Sequence, residues 1–248
     1  MTMTASMSRS GAAPAWIERW PRFIKQAEAT HTYPHRYKSR KSAAAKDSTQ
    51  FSMKRAIDVL GSGAALIFFA PLFISIAIAI KLTSAGPVLF SQNRYGYHNR
   101  LFRIYKFRTM HTHLGDRAGT RQATRHDPRI TRVGRILRKT SLDELPQLLN
   151  VLKGDMSLVG PRPHVPGMLA NGLLYEELVP YYFQRHTVRP GITGLAQVSG
   201  FRGDTTQSAD AIGRVDHDLH YIENWSPWMD VKIILKTCRR EFLSGSGA

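Results

Sequence analysis

Two adjacent carboxylates, Asp143 and Glu144, and two arginines flanked by proline are the residues here whose types and spacing best suit chemistry on a phosphate. The acidic pair lies in the run Arg138-Lys-Thr-Ser141-Leu-Asp143-Glu144-Leu-Pro-Gln147. Neighbouring carboxylates repel, and in a basic setting they are natural ligands for Mg2+, which also neutralises substrate phosphates. Alternatively, one carboxylate attacks phosphorus, forming an acyl phosphate and dividing a transfer into two steps. A plainer reading stays open on the residues alone. Ser141-x-x-Glu144 matches a capping box, and Asp143 suits the positive end of a helix dipole.

Pro161-Arg162-Pro163 fixes the backbone in an extended form, which would hold a guanidinium ready for bidentate phosphate binding at little ordering cost. Arg189-Pro190-Gly191 repeats the arrangement, and a rigid loop with a solvated arginine explains either one equally. Lys106 and Arg108 alternate with Tyr105 and Phe107, so outward charges on a strand account for them too.

These groups need a scaffold, and its strongest signal is Ile57 to Leu82, where Asp58 and Lys81 are the only charged residues. The stretch is long enough to span a bilayer. Pro71 at its centre removes a helix hydrogen bond and clashes with the preceding turn. Both flanks are basic, with Lys54 and Arg55 before it and Lys81, Arg94, Arg100 and Arg103 closing or following it, which asks both ends to stay on one side. A kinked re-entrant hairpin satisfies both features. Each half, at roughly 18 Å of helix, falls short of a hydrocarbon core of about 30 Å. A straight transmembrane helix and a buried core helix are the competing readings.

Beyond Gly86, Val88–Ser91 and Leu101–Phe107 read as strands joined by the polar turn from Gly96 to Arg100. Glu144–Lys153 reads as a helix stopped by Gly154, Leu173–His186 as an amphipathic helix, and Arg214–Tyr221 and Pro227–Phe242 as terminal helices. The predicted fold class is α/β (α+β): a re-entrant membrane helix kinked at Pro71, a small sheet and several amphipathic interfacial helices. Residues 1–50 are expected to form a flexible basic tail, in which Trp16, Ile17, Trp20 and Phe23 have the spacing of a short interfacial helix. The remainder reads as one domain over 51–243, including the membrane helix at about 55–82, with a short tail at 244–248.

The 35 Lys and Arg against 18 Asp and Glu, a formal +17, favour an anionic partner without choosing among nucleic acid, lipid headgroups and phosphorylated substrates. The single cysteine, Cys238, excludes an internal disulfide. No zinc spacing, RNA-binding aromatic signature or helix-turn-helix pattern accompanies the charge, and His111-x-His113 lacks partner ligands nearby, so nucleic acid is not an expected partner.

The sequence resembles the monotopic phosphoglycosyl transferases, the bacterial sugar transferases of the undecaprenyl-phosphate pathway. The resemblance covers about residues 51 to 243. It is carried by Lys54-Arg-Ala-Ile-Asp-Val-Leu-Gly61, Tyr105-Lys-Phe-Arg-Thr-Met110, Ser141-Leu-Asp-Glu-Leu-Pro-Gln147, Gly154-Asp-Met-Ser-Leu-Val-Gly-Pro-Arg-Pro163 and Val188-Arg-Pro-Gly-Ile-Thr-Gly-Leu-Ala-Gln-Val198. It implies that Asp143 is the nucleophile, attacking the β-phosphorus of a UDP-sugar to release UMP and leave a phosphosugar on its carboxylate. Glu144 is implied as its partner, handling a proton or positioning the metal, and Mg2+, held by Asp143 and Glu144, is the implied cofactor. Lys106, Arg138 and Arg162, with Pro161, Pro163 and Arg189, are the implied substrate-binding residues. The acceptor would be a polyprenyl (undecaprenyl) phosphate, in contact with membrane lipid at the cytoplasmic face of a bacterial inner membrane.

Ala70-Pro71 stands where the family usually carries Ser-Pro; Pro71 keeps the kink, but Ala70 offers no hydroxyl to freed carbonyls. The stretch from Gly200 to Thr206 and that from Arg214 to Ser226 resemble the branch that transfers hexose 1-phosphates to start exopolysaccharide synthesis, with glucose favoured and galactose next. A homodimer is compatible on general grounds. The alternative is a basic, membrane-tethered protein that binds an anionic polymer or nucleic acid without catalysis.

Overall fold

The computed structural model describes residues 47–112, 114, 127–201, 203 and 207–244. The expected tail up to residue 46, with Trp16, Ile17, Trp20 and Phe23, lies outside the described residues, as do His113, Asp204, Thr205, Thr206 and residues 245–248. The apolar stretch forms two helices, α1 (Asp47–Phe68) and α2 (Ala70–Thr83), bent by 61° at Phe69. Pro71 sits in the first turn of α2 and has no N–H to offer the Ile67 carbonyl, so the helical ladder is interrupted there. Neither helix alone is long and apolar enough to cross a membrane, whereas the bent pair together has the length and composition of a broken span or a re-entrant element. Leu60, Ile67, Phe68, Ile74 and Ile78 are exposed, while Ile76 and Ile80 pack with Phe107 and Leu137.

The root of α1 is tied down by polar contacts. Arg55 donates to the carbonyls of Val151 (2.6 Å) and Leu152 (2.9 Å), placing its charge at the C-terminal end of α4 (Gln147–Lys153). The buried Asp58 carboxylate accepts from the Ser157 hydroxyl and the Leu158 N–H, both at 3.0 Å. Between these elements, α3 (Arg132–Lys139) is capped by the Thr131 hydroxyl, which accepts from Gly134 N–H at 2.8 Å.

Strands β1 (Leu89–Tyr95) and β2 (Leu101–Phe107) form an antiparallel hairpin in which Phe90 faces Lys106 and Arg94 faces Phe102. Its turn is a short 3-10 segment with His98 and Asn99 in the left-handed region, at φ 52° and 61°. Alternation then puts Arg94 and Lys106 on one face of the hairpin. At the edge of β2, buried Asn150 of α4 replaces a neighbouring strand. Its Oδ1 accepts from Tyr105 N–H at 3.0 Å, and its amide donates to the Arg103 carbonyl at 2.7 Å. Just past β2, Arg108 donates to the Ala85 and Ser84 carbonyls and joins the hairpin to the end of α2.

Two expected helices differ. Glu144–Lys153 is not continuous, because Leu142–Glu144 is a 3-10 turn and α4 starts only at Gln147, after Pro146. Ser141, at φ 55°, makes no side-chain cap, so the capping box does not form. The stop at Gly154 is present, with φ 93° at the helix end. Leu173–His186 is likewise broken. Strand β4 (Leu169–Ala170) pairs with β5 (Leu173–Leu174), followed by α5 (Tyr175–Leu178) and a 3-10 segment at Tyr182–Thr187. Pro180 accounts for the break, since Val179 before it is extended at φ −124°, ψ 93°.

Strand β3 (Ser157–Val159) pairs in parallel with β6 (Gly191–Thr193). The approach at their ends is close: a Cβ on Gly191 would lie 2.1 Å from the Gly160 nitrogen. After α6 (Leu195–Val198), helices α7 (Ser208–Asn224) and α8 (Pro227–Ser244) contain the two expected terminal helices. Ala211, Val215 and Leu219 of α7 pack with Tyr175, Val179 and Tyr182, and Ile233 of α8 packs with Val159 and Tyr221.

Asn150→Leu would leave the part-buried Tyr105 N–H and Arg103 carbonyl without their protein partner. We expect a loss of about 2–6 kcal/mol of stability, taking roughly 1–3 kcal/mol for each of the two orphaned groups. Denaturant unfolding of the detergent-solubilised protein checks this, and an unchanged midpoint would rule out the strand-mimic role.

Candidate active site

The hairpin, the turn before α4 and the loop after β3 converge on Glu144. Lys106 reaches it from β2, with Nζ 2.6 Å from Oε1. Arg162 reaches it from the Pro-Arg-Pro loop as a fork, with Nη2 2.5 Å from Oε1 and Nη1 3.0 Å from Oε2. Both carboxylate oxygens are therefore engaged by cations in a largely buried setting, where such charge-assisted pairs are strong. Burial alone would raise the Glu144 carboxyl, but the charges and hydrogen bonds of Arg162 and Lys106 outweigh it and hold the group well below the usual range.

Asp143, one residue earlier on the same 3-10 turn, is not part of these ion pairs. Burial pushes its carboxyl up to about 6; Lys106 opposes the rise and the negative charge of Glu144 adds to it. At pH 7 it is still mainly ionised, and it is the more basic of the two carboxylates. Adjacent residues thus have opposite electrostatic roles, one neutralised by ion pairs and one available.

Two further residues complete the surround. Arg94, Gln147 and Pro163 line a small cleft with Lys106, Ile104 and Arg162. Arg94 donates to Gln92 Oε1 at 2.8 Å and to the Pro163 carbonyl at 3.5 Å, and its Nε finds no acceptor among the described residues. Burial, reinforced by Arg162, lowers its guanidinium to about 10, so it remains a cation at neutral pH. Gln147 is 1% exposed, and its Nε2 also finds no acceptor among the described residues. Three cations around one pair of carboxylates, with unused buried donors, is an arrangement that calls for an anion. By sequence, Arg94 is only a basic flank of the apolar segment and Gln147 a member of the acidic motif with no role of its own. The same-face alternation of Arg94 with Lys106 was the signal available for the former.

The other expected site residues lie as follows. Arg138 is half-buried near the end of α3, and its charge acts on Asp143 by lowering its carboxyl value. Arg189 donates through Nε to the Gly154 carbonyl at 2.8 Å, and its guanidinium lies 4.9 Å from the Phe51 ring centroid. It thus supports the end of α4 and shares no ion pair with the acidic residues. Pro161 accepts from Gly191 N–H at 2.9 Å, and Pro163 lines the cleft. Ala70 and Pro71 form the bend of the apolar pair.

Among the described residues no group of three or more His, Cys, Asp and Glu is gathered. A protein cage for a metal is thus absent from this region, and Glu144 is occupied by cations. Mg2+ commonly needs only one or two carboxylates, taking its remaining ligands from water and substrate phosphates, and the free Asp143 carboxylate fits that pattern.

The family model described as "Bacterial sugar transferase" matches residues 49–244. The chain is 53% identical over 195 residues to an exopolysaccharide production protein, PSS, of Rhizobium leguminosarum bv. phaseoli, covering 79% of this chain and 98% of that protein. It is 52% identical over 191 residues to an undecaprenyl-phosphate glucose phosphotransferase of Komagataeibacter xylinus, covering 77% of this chain and 36% of that protein. A UDP-glucose:undecaprenyl-phosphate glucose-1-phosphate transferase of Escherichia coli (strain K12) is 46% identical over 192 residues, covering 77% of this chain and 40% of that protein. The chain therefore spans nearly all of the Rhizobium relative and about two fifths of the other two.

In metal-free protein the Asp143 carboxyl carbon, followed by NMR, should titrate with a midpoint of about 6. Lys106→Met should raise that midpoint, because the lost ammonium favoured the ionised form. The stability linkage has the matching sign. The raised Asp143 value contributes stability that is fully present below an unfolded value of about 3.9 and is lost as pH rises through the folded one. A midpoint under about 4, the ordinary range for aspartate, would contradict the assignment.

Proposed function

The chain belongs to the bacterial sugar transferase family, and from that premise we propose that it transfers glucose 1-phosphate from UDP-glucose to undecaprenyl phosphate for exopolysaccharide production. The observation that carries this reading is the asymmetry of the acidic pair: Glu144 locked between Lys106 and Arg162, and Asp143 ionised and unpaired by them.

In the first step an Asp143 carboxylate oxygen attacks the β-phosphorus of UDP-glucose. The bond from that phosphorus to the bridging oxygen breaks, and UMP leaves with the bond pair. In the second step a phosphate oxygen of undecaprenyl phosphate attacks the same phosphorus. The acyl–phosphorus bond breaks, which restores Asp143 and releases the diphosphate-linked sugar. Splitting one transfer this way lets a single carboxylate serve both displacements. Arg162, Lys106 and Arg94 would stabilise the charge that builds on the phosphoryl oxygens, and Gln147 would donate one further hydrogen bond. Mg2+, which the Asp143 carboxylate would hold, would neutralise diphosphate charge when bound.

The acceptor is a lipid, and the exposed apolar faces of α1 and α2 suit burial in a bilayer. We read the 61° bend as a re-entrant element whose two basic flanks stay at the cytoplasmic face of the inner membrane. Trp228, Val231 and Leu235 of α8, all exposed, would rest on the same interface.

Purified protein with undecaprenyl phosphate and Mg2+ should release UMP from UDP-glucose in preference to UDP-galactose and UDP-N-acetylhexosamines. Asp143→Asn should lower that rate by at least about 1,000-fold without unfolding the protein, since an amide is neither nucleophile nor anionic ligand. Activity within about tenfold of the parent would exclude Asp143 as nucleophile.

Pro71→Leu restores the missing donor and removes the ring clash, making a continuous helix of roughly 39 Å available. Positive residues at both flanks resist translocation, so the expected outcome is mixed topology and lost activity. Labelling of a cysteine placed at Ser48, with Cys238 replaced, reads the side directly in intact cells. Outside labelling of the parent protein would exclude the re-entrant reading.

A further inference from the structure

The segment that presents Arg162 is held by its surroundings, because it cannot hold itself. Pro161 and Pro163 have no N–H, and the proline after Arg162 leaves the Arg162 carbonyl without a local donor. Each carbonyl along the segment is instead met from outside. Pro161 accepts from Gly191 N–H at 2.9 Å and His164 from Tyr95 N–H at 3.0 Å. Pro163 accepts from Arg94 at 3.5 Å. The Arg162 carbonyl accepts from Arg185 Nη2 at 2.7 Å.

Arg185 is itself fixed. Its side chain is 0% exposed and pairs with Asp218, 2% exposed, through Nη2 at 2.6 Å and Nε at 2.9 Å. The pair lies beside an apolar core, with the Arg185 guanidinium 5.5 Å from the Tyr182 ring centroid and Asp218 on the face of α7 that also buries Val215 and Leu219. Burying an ion pair among apolar groups is a poor route to stability, because desolvation offsets most of the attraction. What an apolar pair could not supply is the hydrogen bond to the Arg162 carbonyl.

We infer that Arg185 and Asp218 are positioning residues, which hold the Arg162 guanidinium in register with Glu144 and the reacting phosphate. The inference rests on the transfer reaction proposed above. Asp218 orients Arg185, Arg185 fixes the peptide between Arg162 and Pro163, and the fork at the end of Arg162 is thereby aimed.

The test is the double substitution Arg185→Met with Asp218→Leu, which removes both charges and leaves neither one buried alone. The expected result is a folded protein whose kcat for UMP release falls about 10- to 100-fold, as a displacement near 1 Å would cause, while KM for UDP-glucose moves by less than about threefold. In an Arg162→Lys background the same double substitution should cost less than about threefold more, because its effect runs through the missing guanidinium. Arg185→Lys keeps the charge opposite Asp218 but not the fork, and serves if the double variant does not fold; its kcat should fall at least fivefold, roughly, at unchanged KM. Hydrogen exchange over residues 159–165 should quicken in either variant, a readout that needs no turnover. A folded variant with parental kcat and parental exchange overturns the inference. Absence of UMP release by the parent overturns the transfer reading, and exchange then still decides the positioning claim.

Discussion

A carboxylate shared between an ammonium and a guanidinium fixes the site. Glu144 takes Lys106 on one oxygen and the Arg162 fork on both, so the residue is both an electrostatic sink and a structural joint. Removing it would leave two cations facing each other across a small cleft. With it in place, the hairpin, the turn before α4 and the Pro-Arg-Pro loop share one fixed point. The consequence for Asp143 is chemical. Its neighbour has drawn both close cations, so burial dominates and leaves it the more basic carboxylate.

The parts around this joint are arranged to keep it rigid. Asn150 closes the edge of β2, so Lys106 is carried on a strand with both edges bonded. Arg55 and Arg189 donate to carbonyls at the C-terminal end of α4, and Asp58 grips β3. Through Arg55 and Asp58 the apolar helix pair is bolted to the same elements that hold Glu144 and Arg162. In the proposed reaction, chemistry on a soluble nucleotide sugar and delivery to a lipid acceptor would thereby share one frame.

How far the sequence revealed this depends on the range of each interaction. The apolar run broken at Pro71, the hairpin and the terminal helices follow from local periodicity and backbone chemistry, and they were legible. The acidic pair and Arg162 were legible as candidates because residue type and spacing carried them. The capping-box reading of Ser141-x-x-Glu144 assumed a helix, whereas Ser141 in the left-handed region and Pro146 produce a 3-10 turn that aims Glu144 at Arg162. Arg189 matched Arg162 in local pattern and differs in place, since proline neighbours stiffen an arginine without choosing its partner. Arg94, Gln147 and the Arg185–Asp218 pair were not legible, because strand alternation does not say which face a distant loop covers, and Arg185 and Asp218 meet only through tertiary packing.

The two-step route requires Asp143 to carry the phosphosugar between two displacements. Protein incubated with UDP-glucose and Mg2+ in the absence of undecaprenyl phosphate, then digested and mapped by mass spectrometry, tests that directly. The predicted result is a stoichiometric burst of UMP, with hexose phosphate on the peptide bearing Asp143 and none in Asp143→Asn. Formation of UMP only after undecaprenyl phosphate is added, with no modified peptide in either the parent or Glu144→Gln, would contradict it and require direct attack by the lipid phosphate.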